Sequence, residues 1–106
     1  MSSVTSIAAS GMLAAQQRLD VAARNIANAG RPTDEQAAAA FAALRADQVE
    51  TPGGGTAVSV SATSATDVDI ASEAIQATIA SYSVAANASV LRAAAKMQKS
   101  VIDILA

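Results

Sequence analysis

Residues 18–30 read RLDVAARNIANAG, and residues 85–97 read AANASVLRAAAKM. The reading of these two stretches decides the fold. Both are rich in alanine, and both carry asparagine, a mediocre helix former, inside an otherwise helix-friendly run. Asn25 and Asn28 stand three apart, so on a helix they share one face. An asparagine amide offers two donors and an acceptor, and two uses of it stay open. It can cap a fraying helix end. It can also bond to a neighbouring helix and fix the register there, at some cost in stability. The second use makes the two stretches partners.

Towards the N-terminus the helical period continues. Val4, Ala8, Met12, Ala15, Leu19, Ala22 and Ile26 recur every three or four residues, which predicts a helix over 3–30. Ser2, Ser3 or Thr5 can cap its start, and Gly30 followed by Pro32 supplies a stop. Around the second stretch the period is longer lived and predicts a helix over 67–106. Ile75, Ile79, Tyr82, Ala86, Val90, Ala93, Met97, Val101 and Ile104 form one stripe. Val84, Ala88, Leu91, Ala95, Gln98, Ile102 and Leu105 form another beside it. The spacing is close to that of a coiled-coil seam. Asp67, Asp69 and Glu73 at the start, with Arg92, Lys96 and Lys99 towards the end, suit the helix dipole. An apolar arc this wide exceeds what one short N-terminal helix covers, so a second covering surface is expected.

Between the helices, the alanines of RPTDEQAAAA at 31–40 could extend a short helix, but Pro32 and the polar run after it suggest a linker. TAVSVSAT alternates strictly, with Val58, Val60 and Ala62 on one face and Ser59, Ser61 and Thr63 on the other. FAALRADQVE before it is a weaker strand. TPGGG at 51–55 joins them with residues that tolerate unusual backbone angles, so 41–63 predicts a β-hairpin. No Lys-Ser/Thr follows the glycines, so this is a turn and not a phosphate cradle.

Composition narrows the function. The chain has 106 residues, enough for one small domain. Alanine supplies 29 of its 55 apolar residues, beside one Phe, one Tyr and no Trp. A chain so poor in large side chains is expected to be marginal alone, and to be partly unfolded or self-associated in isolation. Cysteine and histidine are absent, which excludes disulfides, thiolate nucleophiles and Cys/His zinc sites. The net charge is −2 and the seven basic residues are scattered, so there is no footprint for nucleic acid. The uncharged runs 1–17 and 74–91 are broken by polar residues or glycine, and read as helix buried in protein, neither membrane span nor signal peptide. Asp67 with Asp69, and Asp34 with Glu35, read as caps and solvated pairs. No catalytic, cofactor-binding or metal-ligating residues are expected, and no small-molecule substrate.

Residues 4–30, VTSIAASGMLAAQQRLDVAARNIANAG, resemble the N-terminal segment of bacterial flagellar rod, hook and hook-associated axial proteins. Ser10-Gly11, Gln17, Leu19-Asp20 and Asn25-Ile26-Ala27-Asn28 carry that likeness. Residues 67–106 resemble the C-terminal segment of the same family through Val68-Asp69, Glu73, Ala86-Asn87, Val90-Leu91, Ala94 and Met97. There are departures: Gly30-Arg31-Pro32 follows N-I-A-N where the family has a Thr-x-Gly-aromatic stretch, and Ala95-Lys96 replaces an acidic pair. The short middle suits the small proximal-rod members, similar to the C-type rod protein.

The resemblance implies a mainly α fold. N- and C-terminal helices would pair as a coiled-coil-like helical hairpin, with a small β-hairpin between them. The division is 3–30 and 67–106 as axial-core helices, with 31–66 as linker and β-hairpin. It implies a structural subunit of the proximal rod, not an enzyme, that self-assembles with copies of itself and other rod subunits. Such a subunit passes the flagellar export apparatus without a cleaved signal peptide and works in the periplasmic part of the basal body. Leu19, Asn25, Ile26, Asn28, Ile75, Ile79, Ala86, Asn87, Val90 and Met97 are the expected helix and subunit packing residues, with Leu19 and Ile26 facing the 75–90 region. Two other readings stay open: a small helical adaptor between membrane ring and rod, which the hairpin argues against, and a small secreted helical-hairpin protein, which usually carries a Trp-x-Gly bend absent here.

Overall fold

The computed structural model describes residues 2–29, 42–63 and 68–106. The linker expected over 31–40 lies outside the described residues, as do Gly30 and Asp67. In chain order the elements are α1 (Ser2–Ala29), β1 (Leu44–Glu50), β2 (Thr56–Ala62) and α2 (Ile70–Leu105). Two long helices with a two-stranded antiparallel hairpin between them is the mainly α architecture expected. The start of α1 differs: Ser3 and Thr5, two of its expected caps, lie inside the helix. At α2 the cap is Asp69, whose carboxylate accepts from the Ala71 and Ser72 amides at 3.1 and 3.4 Å.

The helices run antiparallel, and two contacts fix their register. Asn25 bonds to Glu73, and Gly11 abuts Asn87. Fourteen residues back along α1 is therefore fourteen residues forward along α2. Along α2, residues 73, 77, 80, 84, 87, 91 and 94 are buried or half-buried, in strict four-three spacing. Residues 8, 11, 15, 18, 22 and 25 of α1 have the same spacing and are also buried or half-buried. Each set is a coiled-coil seam.

The seam takes Ala8, Ala15 and Ala22 from the stripe expected on α1 and Val84 and Leu91 from the second stripe expected on α2, but not the more hydrophobic first stripe of α2. Ile75, Ile79, Tyr82, Val90, Met97, Val101 and Ile104 all stay exposed. Among the described residues the buried apolar ones are Ala8, Ala14, Ala15, Val21, Ala22, Ala43, Ala80 and Ala94. All but Val21 are alanines, so the helices meet through their smallest side chains. A buried methyl group contributes about 0.8 kcal/mol, whereas ordering a residue's backbone costs about 1–2 kcal/mol. Such a core is thin support for a free chain.

The hairpin pairs Leu44 with Ala62 through to Glu50 with Thr56. Gly53, Gly54 and Gly55 all take positive φ, from 87° to 105°, a run that a side chain would strain. The Thr51 amide donates to the Gly55 carbonyl and the Gly54 amide to the Thr51 carbonyl, each at 3.1 Å. The strand face holding Thr56 and Val58, with Leu44, Ala46 and Gln48 across the ladder, turns towards α1. Thus α1 is the middle layer, with α2 on one side and the hairpin on another.

Candidate functional site: the junction of helices and hairpin

Asn25 is the largest side chain fully buried among the described residues. Its Nδ2 donates to the Leu44 carbonyl at 2.9 Å and to Glu73 Oε1 at 3.0 Å. Its Oδ1 accepts from the Leu44 amide at 2.9 Å. The amide therefore pairs with both backbone groups of Leu44, much as a neighbouring strand would. Its remaining N–H reaches across to α2. One side chain ties α1, β1 and α2 together, and all its donors are used. An Asp there would lose both donations, and a Leu all three bonds. This satisfaction matters because a buried polar group left unpaired costs about 1–3 kcal/mol.

Three further contacts lock the same layers. Ser10 Oγ donates to the Ile7 carbonyl at 2.7 Å and accepts from the Thr56 amide at 3.1 Å, pinning β2 to α1. Arg18 Nη1 donates to Gln48 Oε1 at 3.1 Å and holds β1. Gly11 faces Asn87 so closely that an added Cβ would lie 2.9 Å from its amide atoms. A glycine in mid-helix disfavours helix by about 1 kcal/mol against Ala. Here the smaller residue makes room for an amide.

The residues picked out from the sequence fall into two groups. Asn25 sits at the three-way junction. Asn87 is half-buried against Gly11, with its Nδ2 donating to the Ser83 carbonyl of its own helix at 2.8 Å. Asn28 Nδ2 donates to the Arg24 carbonyl of α1 at 2.7 Å. Ile26 is half-buried. The others point away from the seam: Leu19 is 37% exposed, and Ile75, Ile79, Ala86, Val90 and Met97 lie on the open flanks of α2. Sequence reasoning did not single out Ser10, Gly11, Arg18 and Glu73 as packing residues. The mid-helix glycine was the available signal. Ser10 and Glu73 entered through the family likeness and Arg18 not at all, because charge at a seam position becomes visible only once register is known.

A cleft of about 370 Å³ opens where the three elements meet, with Val21, Ala22, Ala43 and Leu44 in its wall and Arg18, Arg45 and Glu73 around it. None of the described helices is long and apolar enough to cross a membrane. Sixteen large apolar or aromatic side chains are exposed among the described residues, more than the buried apolar set, so the surface offers more to a partner than the interior offers to the fold.

Residues 6–30 match the family model described as Flagella basal body rod protein. The match supports the flagellar rod protein family, and a component of the basal-body rod. No curated protein matches the chain. The matched segment lies on α1 and contains Ser10, Gly11, Arg18 and Asn25, the residues that join α1 to everything else.

Proposed function

We propose that this chain is a structural subunit of the proximal part of the bacterial flagellar rod, self-assembling into a tubular axial structure that supports motility. One observation carries the reading: the rod-family segment, residues 6–30, is the layer on which both α2 and the hairpin are built. The subunit is exported by the flagellar apparatus without cleavage of a signal peptide and assembles in the periplasm with copies of itself and other rod subunits. The open apolar flanks of α2 are its subunit contacts, among them Ile75, Ile79, Val90 and Met97. Its role is mechanical, and no cofactor or substrate enters it.

Deleting the gene and then restoring it on the chromosome tests this. The expected result is loss of swimming on deletion, recovery on restoration, and the chain present in purified basal bodies by immunoblot. Swimming cells that lack the gene, with parental basal bodies free of the chain, would overturn the reading.

A further inference from the structure

The register leaves the helix pair uneven. Residue 25 opposes 73 and residue 11 opposes 87, so residue 2 falls opposite 96 and residue 29 opposite 69. One end of the pair is flush. At the other, residues 97–105 of α2 run on past the start of α1, about 14 Å of unpaired helix at 1.5 Å per residue. Those nine residues carry Met97, Val101, Ile102, Ile104 and Leu105, exposed by between 52% and 82%. They also carry Asp103, an acid inside the apolar run 101–105, one helical turn beyond Lys99.

The junction cleft lies towards the flush end. Glu73 is four residues from that end and Val21 eight, about 6 and 12 Å along the axis. An overhang of about 14 Å from a copy stacked end to end, and offset towards the hairpin side, reaches this depth. The chemistry also fits: Val21, Ala43 and Leu44 offer an apolar wall, and beside it stand Arg18, which bonds to Gln48, and Arg45, which pairs with Asp47 at 2.8 Å and would share its charge with a second acid.

We propose that residues 97–105 of one copy dock in the junction cleft of the next. Val101, Ile104 and Leu105, which share one face of α2, would meet the apolar wall, and Asp103, next to Ile104 round the helix, the arginines. The inference rests on the self-assembly proposed above and names the contact that performs it. The two surfaces are different patches, so the contact is head-to-tail and leaves a free overhang and a free cleft at the ends of every chain of copies. Such contacts build open filaments unless their rotation closes a ring.

Sedimentation of the full chain over a concentration series tests the contact. Asp103→Arg and Arg45→Asp should each weaken self-association by about tenfold, as expected when a close attraction becomes a repulsion. The chain carrying both should recover. The chain has no cysteine, so Leu105→Cys mixed with Ala46→Cys should give a mixed disulfide dimer under mild oxidation, while Leu105→Cys alone should not. Far-UV circular dichroism checks that each variant keeps its helices. If the wild type associates and Asp103→Arg associates equally well, this contact is wrong and self-assembly stands. A Leu105→Cys chain that links only to itself also overturns the contact, in favour of tail-to-tail pairing. A wild type that stays monomeric at every concentration overturns both.

Discussion

Residues 8–25 of α1 bury alanines and the Asn25 amide, whereas residues 97–105 of α2 hold Met97, Val101, Ile102, Ile104 and Leu105 in solvent. In most small domains the large side chains are inside. Here they are outside, and small or polar groups fill the seam. Shape accounts for the inside: alanine and glycine let backbones approach, and an amide that uses all its donors costs little to bury. What such a seam lacks is area. Large apolar groups on the outer flanks supply that area only when something covers them. The packed stretch thus specifies how the elements meet, while the open one is what the self-assembly proposed above would cover.

The heaviest test of that division falls on Asn25. Asn25→Leu fills the site with the better helix former but leaves the Leu44 amide and carbonyl without their partner. A loss of about 2–4 kcal/mol is expected, read by urea unfolding at fixed chain concentration. Replacing Ile104 with Asn on the overhang should change the same measurement little at concentrations where the chain is monomeric. If the two substitutions cost the same, the division between packed and open stretches is wrong.

Next in size is Gly55→Ala. Gly55 sits at φ 105°, and a Cβ there would lie 2.8 Å from Ser10 Oγ, the hydroxyl that anchors Thr56. Strain of about 1–3 kcal/mol is expected. Amide exchange should quicken in β1 and β2 while the 80–94 stretch of α2 keeps its protection. Equal quickening everywhere would make hairpin and helix pair a single cooperative unit.

A smaller effect separates propensity from fit at Gly11. Ala in place of a mid-helix Gly gains about 1 kcal/mol from backbone entropy, but its Cβ would press on Asn87. Gly11→Ala alone is therefore expected to bring no gain. In an Asn87→Ala background the same change should stabilise by about 1 kcal/mol. The difference is a double-mutant coupling, and its absence would mean that the close approach does not constrain the seam.

These contacts mark where the sequence was readable and where it was not. The hairpin was legible because Thr51-Pro-Gly-Gly-Gly can do little but turn, and because Val58 and Val60 alternate with serines. Both helices were legible from their period. The face of α2 that meets α1 was not. Its seam runs through Glu73, Ala77, Ala80, Val84, Asn87, Leu91 and Ala94, of which only Val84 and Leu91, from the second stripe, carry much hydrophobic weight, while Ile75, Ile79 and Val90 nearby form a louder stripe. Here a period weighted by hydrophobicity picks out most strongly a surface that the free chain leaves open. The N-I-A-N ending was conspicuous, but its separate uses were not: Asn25 bonds across elements, and Asn28 bonds back along its own helix. Only the register tells these two apart.

Asn28 therefore carries the least weight in the free chain and gives the finest test. Its bond to the Arg24 carbonyl is one of the local bonds that compete with helical pairing. Losing it to Leu should shift the stability of the free chain by less than about 0.5 kcal/mol, the range of a surface change away from any special feature. Swimming is a separate measurement. If Asn28 only closes the end of α1, a chromosomal Asn28→Leu strain should swim as the parent does. If the amide instead meets a neighbouring subunit in the assembled rod, the same strain should spread poorly in soft agar although its protein folds normally. Poor swimming with unchanged stability would move Asn28 from the group of seam residues to the group held for partners. Normal swimming would leave it a helix cap, with Asn25 as the amide of this segment that organises the subunit.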